Sequence, residues 1–316
     1  GGRFFHCSLE RIGHGGIMKL TQIKGNTWVI EASQLIPLYK LGDGRCVLLD
    51  SGLLSDREGL EEALRANRLT PAGVLCSHAH VDHCANNGYF QEKYGTKIAL
   101  TSPEAGMCSS LLTLKCYFLT LTPETVERES GCMLHTPDVI IPPADGPFSF
   151  CGAEFQIVHT PGHSSGHVCA VTPDNVCYTA DAVLSAELLG AKLPYNLSQR
   201  MALDSREKLR GLGCGAYVMA HRGVCSGAEF NALIDANQEL IHRRAEEILQ
   251  LVDHPMTASQ IDEAACVRYQ LFTRRPSRAL RFERNVRFFI EYLTDGGRLE
   301  ELCRNGAVYY VRGENS

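Results

Sequence analysis

At 316 residues the chain exceeds one average domain, and an apolar fraction of 44% with a net charge of only −5 excludes disorder of the whole chain. The same balance argues against a chain devoted to nucleic acid, while leaving room for a local basic face. Fourteen cysteines stand singly in apolar stretches such as residues 45–49 and 168–171, the pattern of reduced core thiols rather than of a disulfide framework.

Residues 1–17 hold Gly-rich spots, no periodicity and no hydrophobic signal core, so an N-terminal extension, disordered or appended, is expected ahead of a natural start at Met18. No apolar run is long enough to span a bilayer, and a cytoplasmic location without membrane contact is the expectation. Residues 28–32, 35–41 and 45–50 are short apolar runs broken by turn residues, with Gly42-Asp43-Gly44 before the third, and they read as antiparallel strands. Ser55 and Glu58 have capping-box spacing ahead of a helix reaching about residue 68. A buried strand over 74–77, a helix over 86–94 closed by Gly95 and a strand over 97–101 follow.

Residues 103–136 are rich in Leu, Met and Cys at helical spacing and interrupt the strand rhythm, which predicts an inserted helical cap. Met107, Leu111, Leu114, Phe118 and Met133 are expected to roof a pocket or to form a dimer contact. Strands resume over 139–141, 148–151, 154–159, 167–172 and 176–179. A helix over 204–212, a strand over 216–220 and a long helix over 229–251 finish the large unit. Hairpins first and β-α units afterward predict an α/β fold of two sheets covered by helices on both outer faces.

After Asp253-His254-Pro255 the composition changes: residues 252–316 hold ten Arg, no Lys and nine acids, so this tail is near neutral. Two helices, over 258–270 and 277–293, and a hairpin turning at Asn305-Gly306 predict a small winged-helix-like module over 253–316 behind a catalytic domain over 18–252. Arg268, Arg274, Arg275, Arg278, Arg281, Arg284 and Arg287 crowd this segment against Glu283 alone. Such a face can grip a phosphate backbone, but the absence of Lys and of interleaved aromatics favours a solvated face paired with acids of the chain or of a second subunit. A homodimer is compatible with this.

The segment that carries chemistry is His78-Ala79-His80-Val81-Asp82-His83, directly after the strand at 74–77. Alternation brings His78 and His80 to a common point, while Asp82 and His83 stand where a helix begins and can face a second point nearby. Three imidazoles and a carboxylate within six residues are costly to bury without a partner, and metal coordination is the usual resolution. His163 in Thr160-Pro161-Gly162-His163, Asp181 after the strand at 176–179 and His221 after the strand at 216–220 add ligand types at strand ends, where sites form.

These separated elements, the HxHxDH signature, the TPGH histidine, the strand-terminal Asp and the last His in Ala220-His221-Arg222-Gly223, resemble the metallo-β-lactamase superfamily over residues 19–251. The resemblance implies a four-layered αββα sandwich and two divalent cations, zinc by expectation, with iron or manganese as alternatives. It places His78, His80 and His163 on the first ion, Asp82, His83 and His221 on the second, and Asp181 across both. Asp50 and His167 match positions that orient ligand imidazoles through the other ring nitrogen. A water between two dications loses its proton near neutral pH and becomes a bridging hydroxide nucleophile, with Asp82 orienting it or relaying its proton. Tyr195 and Asn196, between the bridging Asp and the last ligand, are candidates for contacting substrate.

Departures from the family's branches narrow the expectation. His83 stands where β-lactamases with a Cys ligand carry Arg, and Asp181 is present where those retaining the histidine lack it. What remains resembles glyoxalase II, lactonases and phosphodiesterase or RNA-processing branches. The expected function is hydrolysis of an ester, thioester, lactone or phosphoester of a small molecule. The alternatives are an RNA or DNA phosphodiesterase positioned by the Arg-rich tail, a β-lactamase, and a regulatory protein whose metals are structural.

Overall fold

In a computed structural model of the chain, residues 18–313 are described; the extension expected over residues 1–17 lies outside them. The chain divides into two compact units. The first comprises the residues up to His159 together with Val168–Ala180 and Cys214–Cys225, and the second comprises Thr160–His167, Asp181–Gly213 and the residues from Ser226 onward.

The first unit holds two sheets. β1 (Leu20–Lys24), β2 (Thr27–Glu31), β3 (Leu35–Lys40) and β4 (Arg45–Leu49) form an antiparallel meander. To its edge β5 (Thr70–Leu75), β6 (Lys97–Thr101) and β7 (Val139–Ile141) add in parallel. The second sheet runs in the order β13-β12-β11-β10-β9-β8, with β8 at Gly146–Phe150, β9 at Ala153–His159, β10 at Val168–Val171, β11 at Val176–Ala180, β12 at Ala216–Met219 and β13 at Gly223–Cys225. Only β11 and β12 are parallel in it. The two sheets share one core, to which the first gives Val47, Leu49, Leu75 and Ala99 and the second Phe155, Ile157, Val168, Tyr178 and Val218. β10 and β11 are buried along their whole length, as continuous apolar runs such as Val168-Cys169-Ala170-Val171 require.

Helices α1 (Arg57–Ala66), α2 (Val81–Cys84) and α3 (Asn87–Tyr94) connect the strands, and α4 (Ser102–Cys108), α5 (Leu111–Tyr117) and α6 (Pro123–Ser130) form the insertion. Gly95 ends α3 in the left-handed conformation, φ 66°, with its N–H on the Gln91 carbonyl. Met107, Leu114, Phe118 and Met133 are buried and Leu111 half-buried where the helices of the insertion pack on one another. Its outward stripe is Leu112 and Leu119.

Two start signals were misread from sequence. Ser55 does not cap α1: it lies inside a 3-10 turn over Leu54–Asp56, and the carboxylate of buried Asp56 takes the Leu53 N–H and the Ser33 hydroxyl instead. The helix expected from 204 begins at Gln199, because the Ser198 hydroxyl accepts from the Met201 N–H at 3.3 Å.

The second unit contains α7 (Gln199–Arg210), α8 (Gly227–Leu251), α9 (Ala258–Tyr269), α10 (Pro276–Asp295) and the hairpin β14 (Leu299–Arg304) and β15 (Ala307–Arg312). Ile241, Ile248 and Leu249 of α8, Ile261 and Ala265 of α9, Val286, Phe289, Ile290 and Leu293 of α10, and Tyr310 of β15 make one core. The long helix α8 is therefore built into the same packing as the C-terminal helices, and residue 252 falls inside this unit. Asn305 and Gly306 both have positive φ, 52° and 79°, as a type I′ turn demands. Among the described residues no cysteine is paired in a disulfide, and no helix is long and apolar enough to cross a membrane.

Asp262 on α9 carries a testable electrostatic cost. Burial, with the Glu283 carboxylate of α10 adding to it, pushes its carboxyl up to about 6, against a weaker opposing contact from the Cys266 thiol. A carboxyl raised in the folded state stabilises while protonated, and that contribution is lost as pH rises from the ordinary value of 3.8 through about 6. Asp262→Asn is therefore expected to raise the melting temperature at pH 7.5 and to raise it much less at pH 4.5. Equal shifts at both pH values would contradict this.

Candidate metal centre

The first unit carries five of the expected ligands. β5 delivers the chain to a loop over residues 76–80 in which His78 is fully buried, and the His80 carbonyl then accepts from the His83 and Cys84 N–H groups to start the single turn α2. That turn swings Asp82 and His83 away from the point shared by His78 and His80. His78 Nε2 and His80 Nδ1 converge to 2.9 Å. Asp82 Oδ2 lies 3.6 Å from His83 Nε2 and 3.4 Å from His221 Nε2, so these three side chains offer ligand atoms within 4.8 Å of one another. His221 reaches this point from the end of β12, where Ala220 donates its N–H to the Ala180 carbonyl.

The outward ring nitrogens are engaged, which fixes the inward ones. His78 Nδ1 meets Ser77 Oγ at 3.0 Å, His83 Nδ1 meets Asp50 Oδ2 at 2.7 Å, and His80 Nε2 meets Tyr117 Oη at 2.6 Å. Each imidazole with its outer nitrogen bound in this way turns the other nitrogen toward the cluster, the arrangement metal-ligating histidines adopt. The His78 and His80 imidazoles at one point, and the Asp82 carboxylate with the His83 and His221 imidazoles at the other, are donors of the kinds that fit divalent transition metals.

Asp50 holds this half together. Fully buried at the end of β4, it accepts from the Ser77 N–H at 2.6 Å, the Ser77 hydroxyl at 2.7 Å, the Tyr178 hydroxyl at 2.7 Å and His83. Its φ of 71° is a left-handed conformation for a residue with a side chain. Ala180 and Arg222, beside Asp181 and His221 in sequence, share that conformation with φ of 44° and 60°. Strained backbone of this kind clusters at functional sites. Burial, with the Asp50 charge adding, pushes the neighbouring Cys76 thiol well up, so it stays an inert core group.

The remaining expected residues lie in the second unit. His163 Nε2 is 3.2 Å from Asp181 Oδ2, and its Nδ1 meets the Tyr195 carbonyl oxygen at 3.2 Å. The Tyr195 ring stands edge-on to the His163 ring at 5.2 Å, with the Arg284 guanidinium 4.8 Å over its own face. Asn196 is buried and donates to Gln199 Oε1 at 2.9 Å, at the entry to α7. His167 Nδ1 pairs with Thr160 Oγ1 at 2.8 Å, and the His163 and His167 rings lie 6.0 Å apart. Gly162 needs to be glycine: a Cβ there would stand 2.3 Å from the Ala202 backbone nitrogen, and its φ is 135°.

Four contacts had no signal in the sequence. Ser77, Tyr117 and Glu104 touch the signature loop, Glu104 by accepting from the Ala79 N–H at 2.8 Å, and Tyr178 reaches Asp50, which holds His83. Tyr178 reads as one more core aromatic of β11, and Tyr117 as one more helical residue of the insertion.

Comparison with known proteins agrees with this geometry. The profile of the metallo-beta-lactamase superfamily matches residues 20–221, and the chain belongs to that superfamily. A hydroxyacylglutathione hydrolase of Mesorhizobium japonicum is 25% identical over 205 residues, 64% of this chain and 69% of that protein. One from Rhizobium meliloti is 25% identical over 177 residues, 55% of this chain and 57% of its own length. Among solved structures, a metallo-beta-lactamase family protein of Thermus thermophilus superposes with a TM-score of 0.66 at 22% identity, covering 94% of this chain and 98% of its own. A beta-lactamase domain protein of Burkholderia ambifaria reaches 0.72 at 15% identity, covering 93% and 94%. At these identities the structures speak for the α/β fold alone.

Asp50 gives the prediction of this section. Asp50→Ala strands the Ser77, Tyr178 and His83 donors, and breaking one side of such a buried network costs about 3–5 kcal/mol. Urea unfolding of the metal-free variant is expected to show that loss, and an unchanged midpoint would refute the central role given to this carboxylate.

Proposed function

We propose that this protein is a hydrolase that holds two divalent cations, most simply zinc, and cleaves an ester, thioester, lactone or phosphoester of a small molecule. The observation that carries the reading is the orientation of the signature histidines in the first unit. The outer nitrogens of His78, His80 and His83 are bound by Ser77, Tyr117 and Asp50, while the inner nitrogens of His78 and His80 meet each other and that of His83 gathers with Asp82 and His221. The order of motifs supports His163 as third ligand of the first ion and Asp181 as the bridge. Within the second unit His163 Nε2 and the Asp181 carboxylate already face each other at 3.2 Å. Of the substrate classes, a thioester gains support from the relatives named hydroxyacylglutathione hydrolases, although the matched regions span only 57–69% of those two proteins.

The cations, when bound, would make a nucleophile of water near neutral pH and polarise the scissile carbonyl or phosphoryl oxygen. The chain does the rest. Asp82 Oδ2, between His83 and His221, is the carboxylate placed to orient a water or accept its proton. Asp50 fixes the tautomer and direction of His83, and Ser77 does the same for His78. Tyr195 holds His163 through its carbonyl, so its ring and hydroxyl are the candidate contacts with substrate.

A nucleic-acid phosphodiesterase finds less support. Several arginines of the tail are engaged inside the second unit: Arg287 with the Tyr310 hydroxyl at 2.9 Å, Arg298 with Glu246 at 2.8 Å, and Arg312 with the Val252 and Gln250 carbonyls.

Elemental analysis of the purified protein is expected to find two equivalents of divalent metal per chain. A panel of esters, thioesters, lactones and phosphodiesters is expected to give turnover that Asp181→Ala abolishes. Two equivalents of metal with no turnover on any class would leave the structural-metal alternative standing. Full activity in Asp181→Ala would sink the bridging assignment.

A further inference from the structure

We infer that Tyr117, carried by the helical insertion, is a positioning residue of the first metal site and acts through His80. The inference rests on the proposed metal reading and deepens it. The signature presents its histidines unequally. His78 and His83 turn Nε2 inward, because their Nδ1 atoms are taken by neighbours on the sandwich itself, Ser77 and Asp50. His80 is reversed: its Nδ1 is the atom that meets His78 Nε2 at 2.9 Å, so its Nε2 points away from the cluster. There the Tyr117 hydroxyl receives it at 2.6 Å, with the ring centroids 5.8 Å apart.

A neutral imidazole carries one N–H. If Nε2–H donates to Tyr117 Oη, the proton is off Nδ1, and Nδ1 is left with the lone pair a cation needs. A cation on Nδ1 would require this tautomer, and the Tyr117 hydroxyl, accepting from Nε2–H, would hold it together with the ring angle of His80. This tie to His80 comes from the insertion. Its α4 adds a second tie one residue away, since the fully buried Glu104 carboxylate accepts from the Ala79 N–H at 2.8 Å. Tyr117 is itself held, its ring edge-on to the buried Phe118 at 4.9 Å. The insertion is thus part of the metal site.

Partners of this kind are typically worth about 10- to 100-fold in metal affinity. The test is zinc titration of Tyr117→Phe against a chromophoric chelator, beside the wild type and Leu112→Ala, an exposed substitution on the same helix. In Tyr117→Phe one equivalent, held by Asp82, His83 and His221, is expected to bind as in wild type and the other about 10- to 100-fold more weakly. The visible spectrum of the cobalt(II)-loaded variant should change, and the melting temperature of the metal-free protein should not. Leu112→Ala should match wild type throughout. Unchanged affinities and spectrum in Tyr117→Phe, with normal uptake by wild type, would overturn this inference alone. Equal weakening of both equivalents with a lower metal-free melting temperature would make Tyr117 a packing residue and overturn it too. A wild-type chain that takes up no zinc would instead overturn the metal reading on which it stands.

Discussion

A single buried carboxylate organises the first unit. Asp50 sits where β4 ends, and an ionised group in that position is tolerable only because donors surround it: the Ser77 backbone and hydroxyl, the His83 ring and the Tyr178 hydroxyl. Ser77 belongs to the strand-to-loop exit beside it, His83 to the turn that follows, and Tyr178 to the second sheet. The carboxylate therefore joins both sheets and the signature loop in one network, and satisfying it also decides which way His83 points. Structural stability and ligand orientation are served by the same atoms.

The histidines illustrate how a short motif yields two adjacent binding points. The loop over residues 76–80 brings His78 and His80 together, and the helical turn beginning at His80 carries Asp82 and His83 to the side. The change from loop to helical turn inside six residues separates the two groups of ligands. It requires no longer insertion and no glycine in the signature.

Much of this could be read from the residues. The alternation and turn signals located most strands, since runs such as residues 45–49 and 168–171 admit few other readings, and the spacing of His78, His80, Asp82 and His83 pointed to metal. Two kinds of feature escaped. Helix starts depended on local side-chain contacts: the Asp56 carboxylate, not Ser55, ties the turn ahead of α1 by accepting from the Leu53 N–H, and the Ser198 hydroxyl starts α7 five residues before the expected 204. The partners of the ligands escaped for a different reason. Tyr178, which meets Asp50, lies 128 residues beyond it, and Tyr117 lies 37 beyond His80, at sites whose local pattern is that of ordinary core or helix. Proximity of that kind is created by topology, and no local spacing encodes it.

The reach of the Asp50 network also bears on the order in which the chain can mature. Its members are 27, 33 and 128 positions away along the sequence. During synthesis Asp50, Ser77 and His83 emerge long before β11 does, and the buried charge has to wait for Tyr178 before its last donor arrives. Contacts so distant along the chain pay loop-closure entropy before they reward it and slow folding. A nascent or truncated chain that stops short of β11 would hold the signature histidines without the group that finishes orienting them.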